Sequence, residues 1–128
     1  MAPAIPRPAA TIILLRPGGA GPQVLMIQRV QNAAFLGGAY VFPGGALDSD
    51  DSGLRFLRRV VGLTDAEASA RLGVPEKGLA YWVAAVRECF EEAGVLLALD
   101  AERRPVSASR AQALAANRKR SFLDLLEK

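Results

Sequence analysis

Histidine is absent from all 128 residues of this chain, and cysteine occurs once, at Cys89. Without histidine there is no Ser-His or Cys-His nucleophile system, and most zinc sites lose their usual ligands. Chemistry must then run on carboxylates, amines, hydroxyls or a metal held through oxygen. One cysteine rules out an internal disulfide framework and fits a reducing compartment. Long apolar runs are missing too. The stretch "AATIILL" falls far short of the roughly 20 residues a membrane helix needs. The preceding "MAPAIPRP" has neither the basic start nor the apolar stretch of a secretory signal. These features predict a cytoplasmic protein with no membrane partner. The net charge of +3 suits an anionic ligand and is too mild to indicate nucleic-acid binding. What is present, 51% hydrophobic and 23% charged residues, is the make-up of one folded domain with a modest core and not of a disordered tail.

Three β-prone runs open the chain: "AATIILLR", "PQVLMIQRV" after the turn-forming "PGGAG", and "AYVF" leading into "PGG" at Pro43 to Gly45. An acidic turn, "ALDSDDSG", follows. Two short helical patterns come next, "GLRFLRRVVGL" and "TDAEASARLG", the second opened by a capping box of Thr64 and Glu67. The strongest helix signal is "LAYWVAAVRECFEEA", stopped by Gly94. After it, "VLLAL" reads as a buried strand, and "SASRAQALAANRKR" and "SFLDLLEK" read as helices. The organisation expected is a flexible Pro-rich start over 1–9 and one domain over 10–128, with no internal repeat.

At about 100° per residue, Val83, Val86, Cys89, Phe90 and Ala93 gather on one side of the strong helix, and Glu88, Glu91 and Glu92 on the other. Glu88 neighbours both other glutamates, while Arg87 lies one turn before Glu91. Three carboxylates this close repel, and one arginine is too little to offset them. A hard divalent ion that prefers oxygen ligands would answer the repulsion. On the helix alone, a solvated acidic face explains the pattern as well.

Taken with the rest of the chain, Arg87-Glu88-Cys89-Phe90-Glu91-Glu92-Ala93-Gly94-Val95 resembles the "REUxEExGU" half of the Nudix box, U being a bulky apolar residue, and Cys89 is a mild departure. "FPGG" at Phe42 to Gly45 is similar to the entry of the same box. The glutamate that the box places after that glycine falls on Asp51, a shorter acid. Residues 52–86 separate Asp51 from Arg87, where the usual box has seven residues. The resemblance is therefore to Nudix hydrolases with an insertion inside the box, a subgroup that includes coenzyme A diphosphatases. "LMIQR" ending at Arg29, Gly38 and "FPGG" follow the coenzyme A motif. Its second arginine is replaced by Ala34.

That resemblance implies an α/β fold, a Nudix-like α/β/α sandwich with a mixed sheet, carrying a helical insertion over 52–80. It implies hydrolysis of a diphosphate bond in a coenzyme A ester or another nucleoside diphosphate derivative, with Mg²⁺ or Mn²⁺ as cofactor. The expected metal ligands are Glu88, Glu91, Glu92 and the carbonyl of Gly44. Arg87, Glu88 and Glu91 are the catalytic candidates, Arg87 by orienting a glutamate and Glu88 or Glu91 by taking a proton from water. Arg29, Gly38 and Gly45 are the expected substrate contacts, and Asp51 is a further candidate metal ligand.

Other residues carry plainer readings. Cys89 and Trp82 are expected in the core. Arg103, Arg104 and the basic Arg118 to Arg120 read as a solvated surface, with attraction for the phosphates of coenzyme A as the sharper reading. In the family several strands and a helix follow the box, so residues 96–128 read as a C-terminally truncated remainder with an uncovered sheet. An uncovered sheet pairs with other chains. Two classes therefore stand: a metal-dependent diphosphohydrolase acting on a small molecule, and a non-catalytic metal- and phosphate-binding module that needs a partner or forms a homo-oligomer.

Overall fold

A computed structural model describes residues 2–117 and 121–127; the basic run Arg118 to Arg120 lies outside the described residues. The three β-prone runs form three bent strands, each broken into two short ladder segments. They are β1 (Ala9–Thr11) and β2 (Leu15–Arg16), β3 (Gln23–Val24) and β4 (Ile27–Gln28), and β5 (Tyr40–Val41) and β6 (Gly44–Ala46). Each run pairs with one neighbour in its first half and with the other in its second. β1 lies antiparallel to β6 with Ala10 opposite Gly45, β2 to β3 with Leu15 opposite Val24, and β4 to β5 with Ile27 opposite Val41. Bonds from Ile12 N to Pro43 O (2.9 Å), Leu25 N to Leu14 O (3.0 Å) and Arg29 N to Ala39 O (2.9 Å) extend the ladders. The three registers run into one another at Ile13, Met26 and Phe42. All the ladders formed by described residues are antiparallel.

The helices are α1 (Leu54–Leu57), α2 (Asp65–Leu72), α3 (Gly78–Ala93), α4 (Ala108–Ala115) and α5 (Phe122–Leu126). The capping box of α2 forms as expected: Thr64 Oγ1 accepts from Glu67 N, and Glu67 Oε2 accepts from Thr64 N at 2.9 Å. Asp65 then does a second job. Its carboxylate accepts from Lys77 N (3.1 Å) and Leu79 N (3.0 Å), satisfying donors that the start of α3 cannot pair within its own helix. Gly78 makes the close approach of the two helices feasible, since a β-carbon there would overlap the Ser69 backbone. The helical segment between the halves of the box thus fixes the start of the helix that carries the glutamates.

The core is built from helices. Phe56, Val83, Phe90, Phe122, Leu123 and Leu125 form one buried cluster, with the Phe122 ring 5.3 Å from Phe90 and 6.0 Å from Phe56. Arg55 ties α1 to Glu127 just beyond α5 through Nη2 at 2.6 Å. In contrast, Ile13, Leu15, Val24, Met26, Tyr40 and Phe42 of the strands are exposed. The strand expected from "VLLAL" does not form. Leu99 makes one isolated antiparallel bridge to Pro105, and Leu97 and Leu99 stay exposed. An apolar run becomes a strand only when a neighbour takes its backbone groups, and no described strand lies beside this one. The first helical pattern is likewise shorter than its sequence suggests, covering Leu54–Leu57 only.

Candidate active site

Helix α3 and strand β6 meet edge to face. The bond from Ile12 N to Pro43 O makes that pair hydrogen-bonded, so by the antiparallel alternation Thr11 opposite Gly44 and Ala9 opposite Ala46 are not. The polar backbone groups of Gly44 and Ala46 therefore point away from β1, toward α3, which uses both residues. Gly44 N donates to Glu92 Oε2 at 3.2 Å, and Ala46 O accepts from Arg87 Nη2 at 3.1 Å. Between them Gly45 lies against Glu88, whose carboxylate sits where a β-carbon of residue 45 would be. Glycine at 45 thus leaves room for the Glu88 carboxylate against the strand, which a β-carbon there would displace.

Arg87 organises the acids. Its Nε donates to Asp51 Oδ1 (2.8 Å) and its Nη2 to Asp51 Oδ2 (3.0 Å), a two-bond fork onto a side chain that is fully buried. Its Nη1 donates to Glu88 Oε1 (2.8 Å) and to Glu91 Oε2 (3.0 Å). The hydrogen bonds to Asp51, reinforced by Glu88, hold the guanidinium charged far above any accessible pH, although burial works against them. Asp51 also accepts from its own turn, Asp48 N to Oδ2 at 2.8 Å. Both of its oxygens are thus engaged by Arg87, and one of them also by the backbone of its own turn. It is a buried anchor, and the distance in sequence hid that role; the signal available was its spacing from Gly45.

The glutamates are held in different states. Glu88 is largely covered and Glu92 exposed, with Glu91 between them. Burial pushes the Glu91 carboxyl above the usual range, Glu88 and Asp48 add to that, and Arg87 opposes it. Each glutamate keeps one oxygen, Glu88 Oε2, Glu91 Oε1 and Glu92 Oε1, that takes no hydrogen bond from the described residues. By donor type the set fits a hard divalent ion. As the side chains stand, however, no three acidic or thiol side chains among the described residues converge closely enough to hold one. Two of the glutamates are turned onto Arg87 and the third onto Gly44.

The remaining predicted residues divide. Gly44 and Gly45 join the glutamates, while Arg29 and Gly38 sit together at the end of the β4–β5 hairpin, where Gly38 N donates to Arg29 O at 3.1 Å. Gly38 has φ +77° and serves the turn, with the Gln31 amide where a side chain would go. Arg29 is exposed and makes no side-chain hydrogen bond among the described residues. Cys89 is fully buried, and burial together with Glu92 raises its thiol, so it is no nucleophile. Trp82 is half-buried and lines a groove.

Fold and site together define a Nudix-type chain: a strand that opens on two glycines, a helix bearing the REUxEE acids, and an arginine clamped to the acid that precedes the insertion. No family model matches the chain. It is 33% identical over 104 residues to the acyl-coenzyme A diphosphatase NUDT19 of Homo sapiens, covering 63% of this chain and 28% of that protein. To NUDT19 of Gallus gallus it is 30% identical over 121 residues, covering 71% of this chain and 32% of the relative. A crystal structure of a NUDIX hydrolase from Alicyclobacillus acidocaldarius superimposes with a TM-score of 0.61 at 30% identity, over 98% of this chain and 54% of that one. The chain is accordingly a relative of the Nudix hydrolases. It spans about a third of the length of these curated relatives and about half of that structure.

Proposed function

We propose that this chain is the glutamate-bearing part of a metal-dependent hydrolase that cleaves the diphosphate bond of a coenzyme A ester or another nucleoside diphosphate derivative. The observation that carries the reading is the docking of the Gly44–Gly45 segment of β6 onto the face of α3 that holds Glu88, Glu91 and Glu92. The curated relatives are named for the same reaction. Mg²⁺ or Mn²⁺, when bound, would neutralise diphosphate charge and lower the pKa of a bound water. Glu88, Glu91, Glu92 and the outward carbonyl of Gly44 are the residues to hold it. Arg87 is a positioning residue, because its guanidinium is spent on Asp51, Glu88, Glu91 and Ala46 and has no donor to spare for substrate. Glu91, whose burial makes it a stronger proton acceptor than a free carboxylate, is the general-base candidate, with Glu88 as the other. Arg29 offers an uncommitted cation, and Gly38 and Gly45 give bare backbone to a phosphate or its neighbour.

The test is incubation with coenzyme A or ADP-ribose and Mn²⁺. Release of 4′-phosphopantetheine or AMP, lost in Glu91→Gln with the fold retained, supports the enzyme. A second reading has its own support, the exposed apolar face of the strands: a non-catalytic module that keeps metal and phosphate affinity and needs a partner. No turnover by folded protein that still takes up Mn²⁺ would favour it. No helix among the described residues is long and apolar enough to cross a membrane.

A further inference from the structure

Glu92 differs from the other two glutamates in what it touches. Glu88 and Glu91 both accept from Arg87, whereas Glu92 accepts from backbone, Gly44 N to Oε2 at 3.2 Å. The Pro43–Gly44 peptide unit is therefore held from both sides, with Pro43 O accepting from Ile12 N at 2.9 Å across the ladder and Gly44 N tied to α3. Thr11 and Gly44 form a non-hydrogen-bonded pair, so the N–H and C=O of Gly44 leave β6 side by side on the edge that faces α3. The N–H is taken by Glu92, and the C=O accepts from no described side chain. Farther along the same edge Arg87 Nη2 donates to Ala46 O at 3.1 Å. Helix α3 thus grips β6 at two points, and the Gly44 carbonyl lies open between them.

We propose that Glu92 is a positioning residue for the Gly44 carbonyl: by holding Gly44 N it fixes the tilt of the strand edge, so that Gly44 O faces the carboxylates of α3. Glycine gives that edge no side chain of its own, and its backbone turns more freely than that of any other residue. An acceptor on the N–H restrains the turn. A carboxylate suits the task because hydrogen bonds to an ionised acceptor are stronger than those to a neutral one. The use made of the carbonyl rests on the metal-dependent reading above, in which the other oxygen of Glu92 stays available as a ligand. The contact between Glu92 and Gly44 stands without that reading.

Glu92→Gln and Glu92→Ala are both neutral, and only the first keeps an oxygen that can accept from Gly44 N, so their difference reads the acceptor and not the charge. Glu92 is exposed, and neither change touches the core. In metal-free protein, amide hydrogen exchange followed by NMR should be about tenfold faster at Gly44 in the alanine variant than in the glutamine variant. The Ile12 amide, bonded to Pro43 O, should exchange alike in both and serves as the internal reference for an intact ladder. Equal Gly44 exchange in the two variants overturns the proposal, as does a Gly44 change that Ile12 shares. Turnover of coenzyme A at saturating Mn²⁺ reads the consequence: the glutamine variant should exceed the alanine variant by about tenfold, the cost of a misplaced group. Equal rates would leave Glu92 a ligand alone and overturn its positioning role. Wild-type protein that neither takes up Mn²⁺ nor turns over substrate would sink the diphosphate reading instead, and the exchange difference still decides whether Glu92 sets Gly44.

Discussion

Asp51 and Arg87, 36 positions apart, form a buried fork of two hydrogen bonds at 2.8 and 3.0 Å, and from that fork the guanidinium reaches Glu88 and Glu91. The pair closes the insertion as a loop whose ends meet beside β6, where Arg87 also reaches Ala46 O. It also explains how acids of like charge share one helix face: the cation between them is part of the fold and is itself held by a fourth acid.

Removing one partner of that fork should be severe. Asp51→Ala leaves a buried guanidinium short of two acceptors, and is expected to cost about 3–5 kcal/mol in urea unfolding. Arg87→Lys should recover little, because a single ammonium cannot reproduce the planar fork. A loss below about 1 kcal/mol in Asp51→Ala would show that the fork is not a structural anchor.

Gly45→Ala tests the close approach. The added β-carbon would sit on the Glu88 carboxylate, the end of a flexible side chain that can swing aside. The expected outcome is a melting temperature within a few degrees of the wild type, with metal-dependent turnover lower by about tenfold or more, in line with the cost of misplacing a catalytic group. Unchanged turnover would remove Glu88 from the site.

The Arg55–Glu127 contact carries a pH signature. Hydrogen bonding to Arg55 lowers the Glu127 carboxyl below its ordinary value, and charge attraction from Arg55 and Arg59 acts the same way. A lowered folded-state value means that the stabilisation is present above the ordinary glutamate range, about 4.3, and is lost as pH falls through the lowered value. Glu127→Gln should therefore melt below wild type at pH 7, with the two curves converging under about pH 4. A gap that persists in acid would mean the residue acts by packing alone.

Phe122→Ala removes a ring in contact with both Phe56 and Phe90. The expected loss is about 3–5 kcal/mol. Because the core is helical, it should also release α5, seen as lost helical circular dichroism before the main unfolding transition. A small, single-step effect would mean that α5 contributes little to the core.

Much of the site was legible before any coordinates. The 3.6-residue period alone puts Glu88, Glu91 and Glu92 together, Thr64 and Glu67 announce their capping box, and Gly94 ends α3 with φ +69°. "VLLAL" misled because apolar content specifies burial and not a pairing partner, and a ladder needs a neighbour that only the tertiary arrangement can supply. The burial of Asp51 was hidden for a related reason. An acid in an acidic turn looks solvated until something distant covers it.

By itself, then, the order of residues determined the phase of the acids on α3, the paired glycines ahead of the acidic turn and the kinship with Nudix hydrolases, since these depend on spacing within a few turns of one segment. The direction of each carboxylate, the commitment of Arg87 to Asp51 and the use of the Gly44 and Ala46 edge by α3 were decided only in three dimensions. Each requires two segments far apart in the chain to come within hydrogen-bond or van der Waals reach, and no local periodicity encodes such a distance.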